Sequence, residues 1–180
     1  PGMPPTHGGS ETQFYLLARE LARREGFEVH CVVHGENGRP AQMREGVRIH
    51  SNPFVPGLGG KLRFQVLLAR IGADVYLQRA IGSVTKEMGF FRLWSRRRFV
   101  YWIASEYDVD ASRRNEGLDR GRLFEWGMLR ADRIVAQTRT QAEALRRNYG
   151  RDCVVIPNGF PSRPAPSGPR EGVAWIGRYA

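Results

Sequence analysis

Arg98-Phe99-Val100-Tyr101-Trp102-Ile103-Ala104 is a near-continuous apolar run, bounded by arginines on one side and by the polar Ser105-Glu106 on the other. A strand with one wet face alternates; a strand without alternation is covered on both faces, as in a parallel sheet between helices. Working outward, Phe27 to His34, Ala73 to Gln78, Asp132 to Ala136 and Cys153 to Ile156 read as further short strands, and Val47-Arg48-Ile49-His50 as an alternating one. Helical spacings separate them. Phe64, Leu67, Leu68 and Ile71 recur on one face and Gly72 ends that helix. Ser83 to Trp94 reads as a helix with Val84, Met88 and Phe91 inward, and Leu118 to Arg130 as another. Thr138 and Gln141 form a capping box that opens a helix closed at Tyr149-Gly150. Strands alternating with helices predict an α/β fold: a doubly wound, mainly parallel, Rossmann-like sheet with ligands bound beyond the carboxyl ends of its strands. The segments to watch are therefore Gln78 to Ser83, Ser105 to Asp110, Gln137-Thr138 and Pro157 to Phe160.

Near the start, Thr6-His7-Gly8-Gly9-Ser10-Glu11-Thr12-Gln13 leads two glycines into a helix. Ser10 and Gln13 have capping-box spacing, and Phe14, Leu17, Ala18 and Leu21 give an apolar face, so a helix is predicted from Glu11 to Glu25. Gly8 and Gly9 let a ligand approach the backbone. The unpaired N–H groups and the helix dipole favour an anion there. The bland alternative is a glycine turn feeding an ordinary helix.

The chain has 180 residues, 41% hydrophobic and 26% charged, a globular composition. Cys31 and Cys153 lie in apolar runs without metal-ligand spacing, which reads as buried, reduced thiols in a cytoplasmic protein. No metal cluster is visible, and no apolar run approaches the roughly 18 residues of a membrane span. The net charge of +10 fits an anionic membrane surface, anionic substrates or simply an arginine-rich surface. Nucleic acid is disfavoured: no binding motif appears, and Phe99, Tyr101 and Trp102 read as buried strand, not as a stacking platform. Pro161 to Gly168 is a proline-rich linker, and Gly172 to Arg178 reads as the first strand of a second domain. Residues 1–160 are thus assigned to one domain, 161–171 to a linker and 172–180 to the start of another. The expectation is of a fragment that lacks its first strand and most of its second domain.

In order, the chain shows Pro-Pro-x-His-Gly-Gly-Ser-Glu before a helix, Gly-Phe-Glu-Val-His, Ala-Asp-Val-Tyr, Ala-Asp-Arg-Ile-Val-Ala-Gln-Thr, Val-Ile-Pro-Asn-Gly, a linker, and Trp-Ile-Gly-Arg. This order resembles the amino-terminal domain of retaining, two-domain (GT-B) glycosyltransferases of the family 4 type, over nearly the whole chain. The resemblance implies two Rossmann-like domains facing a cleft, with the acceptor mainly on the first and a nucleotide-sugar, such as a UDP- or GDP-sugar, mainly on the second. It implies that Gly8 and Gly9 approach the donor diphosphate and that Arg178 contacts the same diphosphate. No cofactor or metal is implied; a guanidinium and backbone N–H groups suit the charge that grows on the leaving diphosphate.

Many members carry His-Asp or His-Gly after the strand corresponding to Phe99 to Ala104. Here the sequence is Ser105-Glu106-Tyr107-Asp108-Val109-Asp110, so no catalytic residue is assigned. Candidate acceptor contacts are His7, Arg79, Glu106, Asp108 and Thr138. Each has an alternative: a solvated loop histidine, a surface ion pair, loop-capping carboxylates, and a helix cap. The expected partners are a nucleotide-sugar and a glycan, lipid-linked or small-molecule acceptor, with peripheral association at an anionic membrane. The rival readings are a two-domain sugar-nucleotide epimerase or phosphorylase, and a non-catalytic module that binds a glycan or lipid head group.

Overall fold

The structure is a computed structural model, and it describes residues 9–34, 41–52, 57–80, 82 and 84–160. His7, Gly8, Arg178, the linker and the strand expected at 172–178 lie outside the described residues. Helices α1 (Gly9–Ala22), α2 (Gly57–Ile71), α3 (Val84–Ser95), α4 (Leu123–Leu129) and α5 (Arg139–Tyr149) alternate with strands β1 (Val29–His34), β2 (Gln42–Arg44), β3 (Val47–Asn52), β4 (Val75–Arg79), β5 (Arg98–Trp102), β6 (Arg133–Ala136) and β7 (Val154–Val155). The α/β reading holds.

The strands form two sheets. One has the order β4-β5-β6-β7, parallel throughout; the other has the order β1-β3-β2. In the second, β1 and β3 are parallel and β2 folds back antiparallel on β3, with Met43 opposite Arg48. The hairpin is the part that the sequence concealed: β2 is exposed throughout, so it carries no apolar alternation. Its tight turn places Glu45 and Gly46 at positive φ. The sheets point the same way. The start of α1 bonds to the ends of β4 and of the β7 segment, and its far end leads directly into the start of β1.

The central run of the sequence supplies the core. Phe99, Tyr101 and Ile103 are fully buried with Phe91, Met128, Ile134 and Leu145 around them. Helices α3 and α4 meet backbone to backbone. A Cβ at Gly127 would lie 2.4 Å from the Thr85 carbonyl oxygen, and one at Gly89 would lie 2.8 Å from the Gly127 Cα. Asp132 ties the base of the sheet. It accepts two 2.7 Å bonds from Arg92 and a 2.8 Å bond from the Phe99 N–H. That bidentate pair holds its carboxyl below the ordinary aspartate value.

Candidate functional site

The carboxyl ends of β4, β5 and β6, the segment after β7 and the first turn of α1 converge. Arg79 is the last residue of β4. Its Nε donates to Ser10 Oγ at 3.2 Å, its second terminal nitrogen donates to Asn158 Oδ1 at 3.2 Å, and its guanidinium lies 3.9 Å from the centre of the Trp102 ring. Asn158 donates to Gln137 Oε1 at 2.6 Å, and Gln137 donates to the Ile103 carbonyl at 2.6 Å. The Gly159 N–H donates to Gln13 Oε1 at 3.1 Å. One polar chain thus runs from the end of β5 to the start of α1.

The local sequence explains each position. Strands end where the apolar runs end, so the next residue in each case is free to point along the sheet edge. Immediately after Arg79, Ala80 adopts φ 66°, a left-handed conformation that costs a non-glycine residue about 1–2 kcal/mol. The buried Gln78 side chain donates to the Ala80 carbonyl at 3.2 Å and to Thr85 Oγ1 at 2.7 Å, which holds this turn. Strain held in place at a strand end is a mark of functional sites.

Among the described residues, Arg79 donates to neutral side chains and not to a carboxylate. Burial pushes its guanidinium below the ordinary arginine value, and the charges of Asp108 and Glu11 oppose that shift. One terminal nitrogen of Arg79 is buried without a hydrogen-bond partner, as are Gln13 Nε2 and the Trp102 indole N–H. Gln13 and Trp102 are themselves 4% and 7% exposed. Buried donors without acceptors are costly in a finished structure, at about 1–3 kcal/mol each. Among the described residues these three are cationic or N–H groups and suit an acceptor-rich or anionic ligand, while the buried Gln78 Oε1 beside them is an acceptor without a donor.

The sequence expected a Ser10–Gln13 capping box and a helix over Glu11 to Glu25. Instead α1 starts at Gly9 and stops at Ala22, and both polar side chains turn to tertiary partners. A cap is worth about 1 kcal/mol, and a buried hydrogen bond to a guanidinium is worth at least as much. Gly9 is the first residue of the helix, and a Cβ there would meet nothing within 4 Å. Packing by the described residues therefore does not require glycine at that position.

Asp108 is fully buried, and its carboxylate accepts from the Tyr101 hydroxyl at 3.0 Å, the Ala104 N–H at 2.9 Å and the Ser105 hydroxyl at 3.0 Å. It is the carboxylate that closes the loop after β5, seated in the short 3-10 helix Glu106–Val109. Glu106 stands exposed on the same turn. Thr138 is the N-cap of α5 and accepts from the Gln141 N–H at 3.1 Å. The return bond of that capping box reaches one residue further back, to the Gln137 N–H at 2.8 Å, which steers Gln137 into the polar chain. Arg79 is the candidate that the structure brings to the centre. Ser10, Gln137, Asn158 and Trp102 join it. Two of them lie in segments that the strand-end rule flagged, whereas Trp102 carries no signal that separates it from the strand it ends.

His30 and His50 form a separate pair, with Nδ1 of the first 2.9 Å from Nε2 of the second, and Glu28 lies 3.0 Å from His30. Among the described residues, no group of three or more His, Cys, Asp or Glu side chains could hold a metal ion. Both cysteines are free, and burial pushes the Cys31 thiol up to about 11, so it is inert as a nucleophile. None of the described helices is long and apolar enough to cross a membrane.

Against known proteins, the family model of Glycosyltransferase Family 4 matches residues 7–162. No curated protein matches the chain.

Proposed function

The chain belongs to Glycosyltransferase Family 4, a family of glycosyl transfer between a sugar donor and an acceptor, and from that premise we propose the reaction in finer detail. The donor is a nucleoside-diphosphate sugar of the UDP or GDP type, and the sugar passes to an acceptor hydroxyl with retention of configuration. The acceptor hydroxyl attacks the anomeric carbon on the face from which the diphosphate leaves. A leaving diphosphate oxygen takes the hydroxyl proton, so no protein nucleophile is required. Gly8, Gly9 and the start of α1 receive the diphosphate from one side of the cleft, and Arg178 receives it from the other. Backbone N–H groups aimed at charge that develops in the transition state are worth about 10²–10³-fold each in rate. Residues 1–160 form the acceptor half, and the donor half begins at 172.

The observation that carries this reading is the polar chain around Arg79 at the strand ends. It offers donors without acceptors, among the described residues, beside a helix start where a Cβ on Gly9 would meet nothing within 4 Å. Arg79 and Glu106 face the acceptor; Asp108 and Thr138 hold the loop and helix on which those contacts stand. The test uses the enzyme that contains this chain together with its donor domain. Gly9→Trp fills the space at the helix start. Release of UDP or GDP from the sugar nucleotide should fall at least about 100-fold, while the melting temperature stays within a few degrees of wild type. Turnover at the wild-type level in Gly9→Trp refutes the site.

A further inference from the structure

The three nitrogens of the Arg79 guanidinium have three different fates. Nε donates to Ser10 Oγ at 3.2 Å, one terminal nitrogen donates to Asn158 Oδ1 at 3.2 Å, and the other is buried without a partner among the described residues. The Trp102 ring covers one face of the group, with its centre 3.9 Å from the guanidinium carbon. That leaves the edge with the two terminal nitrogens for a ligand. Such an edge is a fork that matches a carboxylate or a phosphate with two parallel N–H···O bonds. Here the fork holds one neutral oxygen. Asn158 is exposed, so this oxygen sits on the side that solvent reaches.

Asp108 and Glu11 act on this cation through space. The Asp108 carboxylate is taken up by Tyr101, Ala104 and Ser105, and Glu11 stands exposed in the first turn of α1. A half-buried cation with neutral partners is costly until an anion meets it. The groups around it ask for the same chemistry. The Trp102 indole N–H and Gln13 Nε2 are donors without partners among the described residues, on side chains 7% and 4% exposed. Gln13 joins the site through the Gly159 N–H, next in the chain to Asn158. An oxyanion carries only acceptor oxygens, whereas a sugar hydroxyl brings a hydrogen that needs an acceptor of its own. The unpartnered acceptor Gln78 Oε1 precedes Arg79 in β4. Strand alternation sends its side chain to the opposite face, where its amide bonds to Thr85.

We propose that Arg79 sets the acceptor specificity of this half: it takes a carboxylate or phosphate-monoester group of the acceptor end-on through both terminal nitrogens, and the Asn158 side-chain oxygen is the neutral placeholder that the oxyanion displaces. A charge-assisted hydrogen bond is roughly twice as strong as a neutral one, so the exchange runs toward the oxyanion. Asn158 keeps its amide bond to Gln137, and its released oxygen turns to solvent. That the oxyanion belongs to the acceptor rests on the proposed transfer reaction; the seat for it does not.

The test is calorimetric titration of the enzyme that contains this chain with inorganic phosphate and with acetate, each with and without saturating UDP or GDP. At least one anion should bind, and it should still bind with the nucleotide present. Tighter binding of phosphate assigns a phosphate monoester, and tighter binding of acetate a carboxylate. Arg79→Met should weaken binding by at least about tenfold, the scale of a hydrogen bond to a charged group. Asn158→Asp should do the same, because it sets a carboxylate of the chain's own on the fork, whereas Asn158→Ala should bind at least as well as wild type. Asn158→Asp leaves Arg79 in place, so it decides the matter if Arg79→Met does not fold. The proposal is overturned if neither anion binds, or if Asn158→Asp binds as wild type does. It is also overturned if the nucleotide abolishes binding, because the anion then sits where the donor diphosphate does. Wild-type turnover in Gly9→Trp with Arg79-dependent anion binding intact removes the proposed diphosphate site and leaves the oxyanion seat standing.

Discussion

The two sheets rest on unequal cores. Beneath β4–β7 lies a continuous cluster from Phe64 through Phe99, Tyr101 and Met128 to Leu145, closed at its base by the Arg92–Asp132 pair. Beneath β1 and β3, the fully packed residues among those described are Ala18, Cys31 and Val47, with Phe14, Val29 and Ile49 only partly covered. The candidate site straddles the difference. Arg79, Gln137 and Asn158 stand on the large core, while Ser10 and Gln13 stand on α1, which packs on the small one. A binding site is commonly built this way, with rigid groups on one side and a more easily opened element on the other. The hydrogen bonds from Arg79 to Ser10 and from Gly159 to Gln13 are two links between them, and Val32 of β1 packs against the large cluster as a third.

The strongest blow to this contrast falls on the large core. Gly127→Ala introduces a Cβ 2.4 Å from the Thr85 carbonyl oxygen and 2.8 Å from the Lys86 Cα, where backbone must move. Alanine improves helix propensity by up to about 1 kcal/mol, and overpacking against fixed backbone costs more. A net loss of about 3 kcal/mol is expected, read as a lower denaturation midpoint in urea. If Gly127→Ala leaves the midpoint unchanged, α3 and α4 do not pack as tightly as the geometry requires.

A second substitution asks whether the halves open separately. Val47 is 1% exposed at the centre of the small cluster. Val47→Ala should cost about 2 kcal/mol, the scale for removing two buried methyl groups. Hydrogen exchange should then speed up at the amides of β1 and β3 and of α1, with β5 and β6 unchanged. Equal acceleration everywhere would mean that the two cores unfold as one unit, and the contrast would fail.

The sequence showed the large core more clearly than the small one, for physical reasons. Phe99 to Ile103 lacks alternation because both of its faces are covered, and such a run is legible without any partner in view. The Thr138 cap and the Gly150 terminus of α5 are local chemistry, and both appear where expected, with Gly150 at φ 63°. The β2–β3 hairpin was missed because its first strand buries nothing. The mainly parallel sheet that was expected is present in β4-β5-β6-β7, while the described residues of β1, β2 and β3 pair among themselves, a grouping that depends on strand edges and not on the strands' own residues. At the site, Arg79 was legible because it ends a strand. Its partners were not: Ser10 and Gln13 read equally well as caps, and only the fold brings them within reach of residues 69 and 146 positions away.

The smallest effect lies at the edge of the small core, where protons test it. Burial, together with the charges of His30 and Arg48, holds His50 below the ordinary histidine value of 6.5. A base with a depressed folded-state value binds its proton more readily when unfolded. Above pH 6.5 both states are neutral there and the stability is complete. As the pH falls from 6.5 to the lowered folded value, the unfolded chain takes up the proton first and stability declines; below that value the loss is constant. The 2.9 Å His30–His50 contact also requires one nitrogen without a proton, so protonating both rings breaks it. The expected cost is on the order of 0.5 kcal/mol, the low end for a single hydrogen bond. His50→Gln should remove the slope between pH 7 and 5 in urea titrations. Because β1 and β3 carry the two histidines, the slope should also be sharper in their amide exchange than in that of β5. A slope of equal size at β5 would again tie the two cores into one cooperative unit.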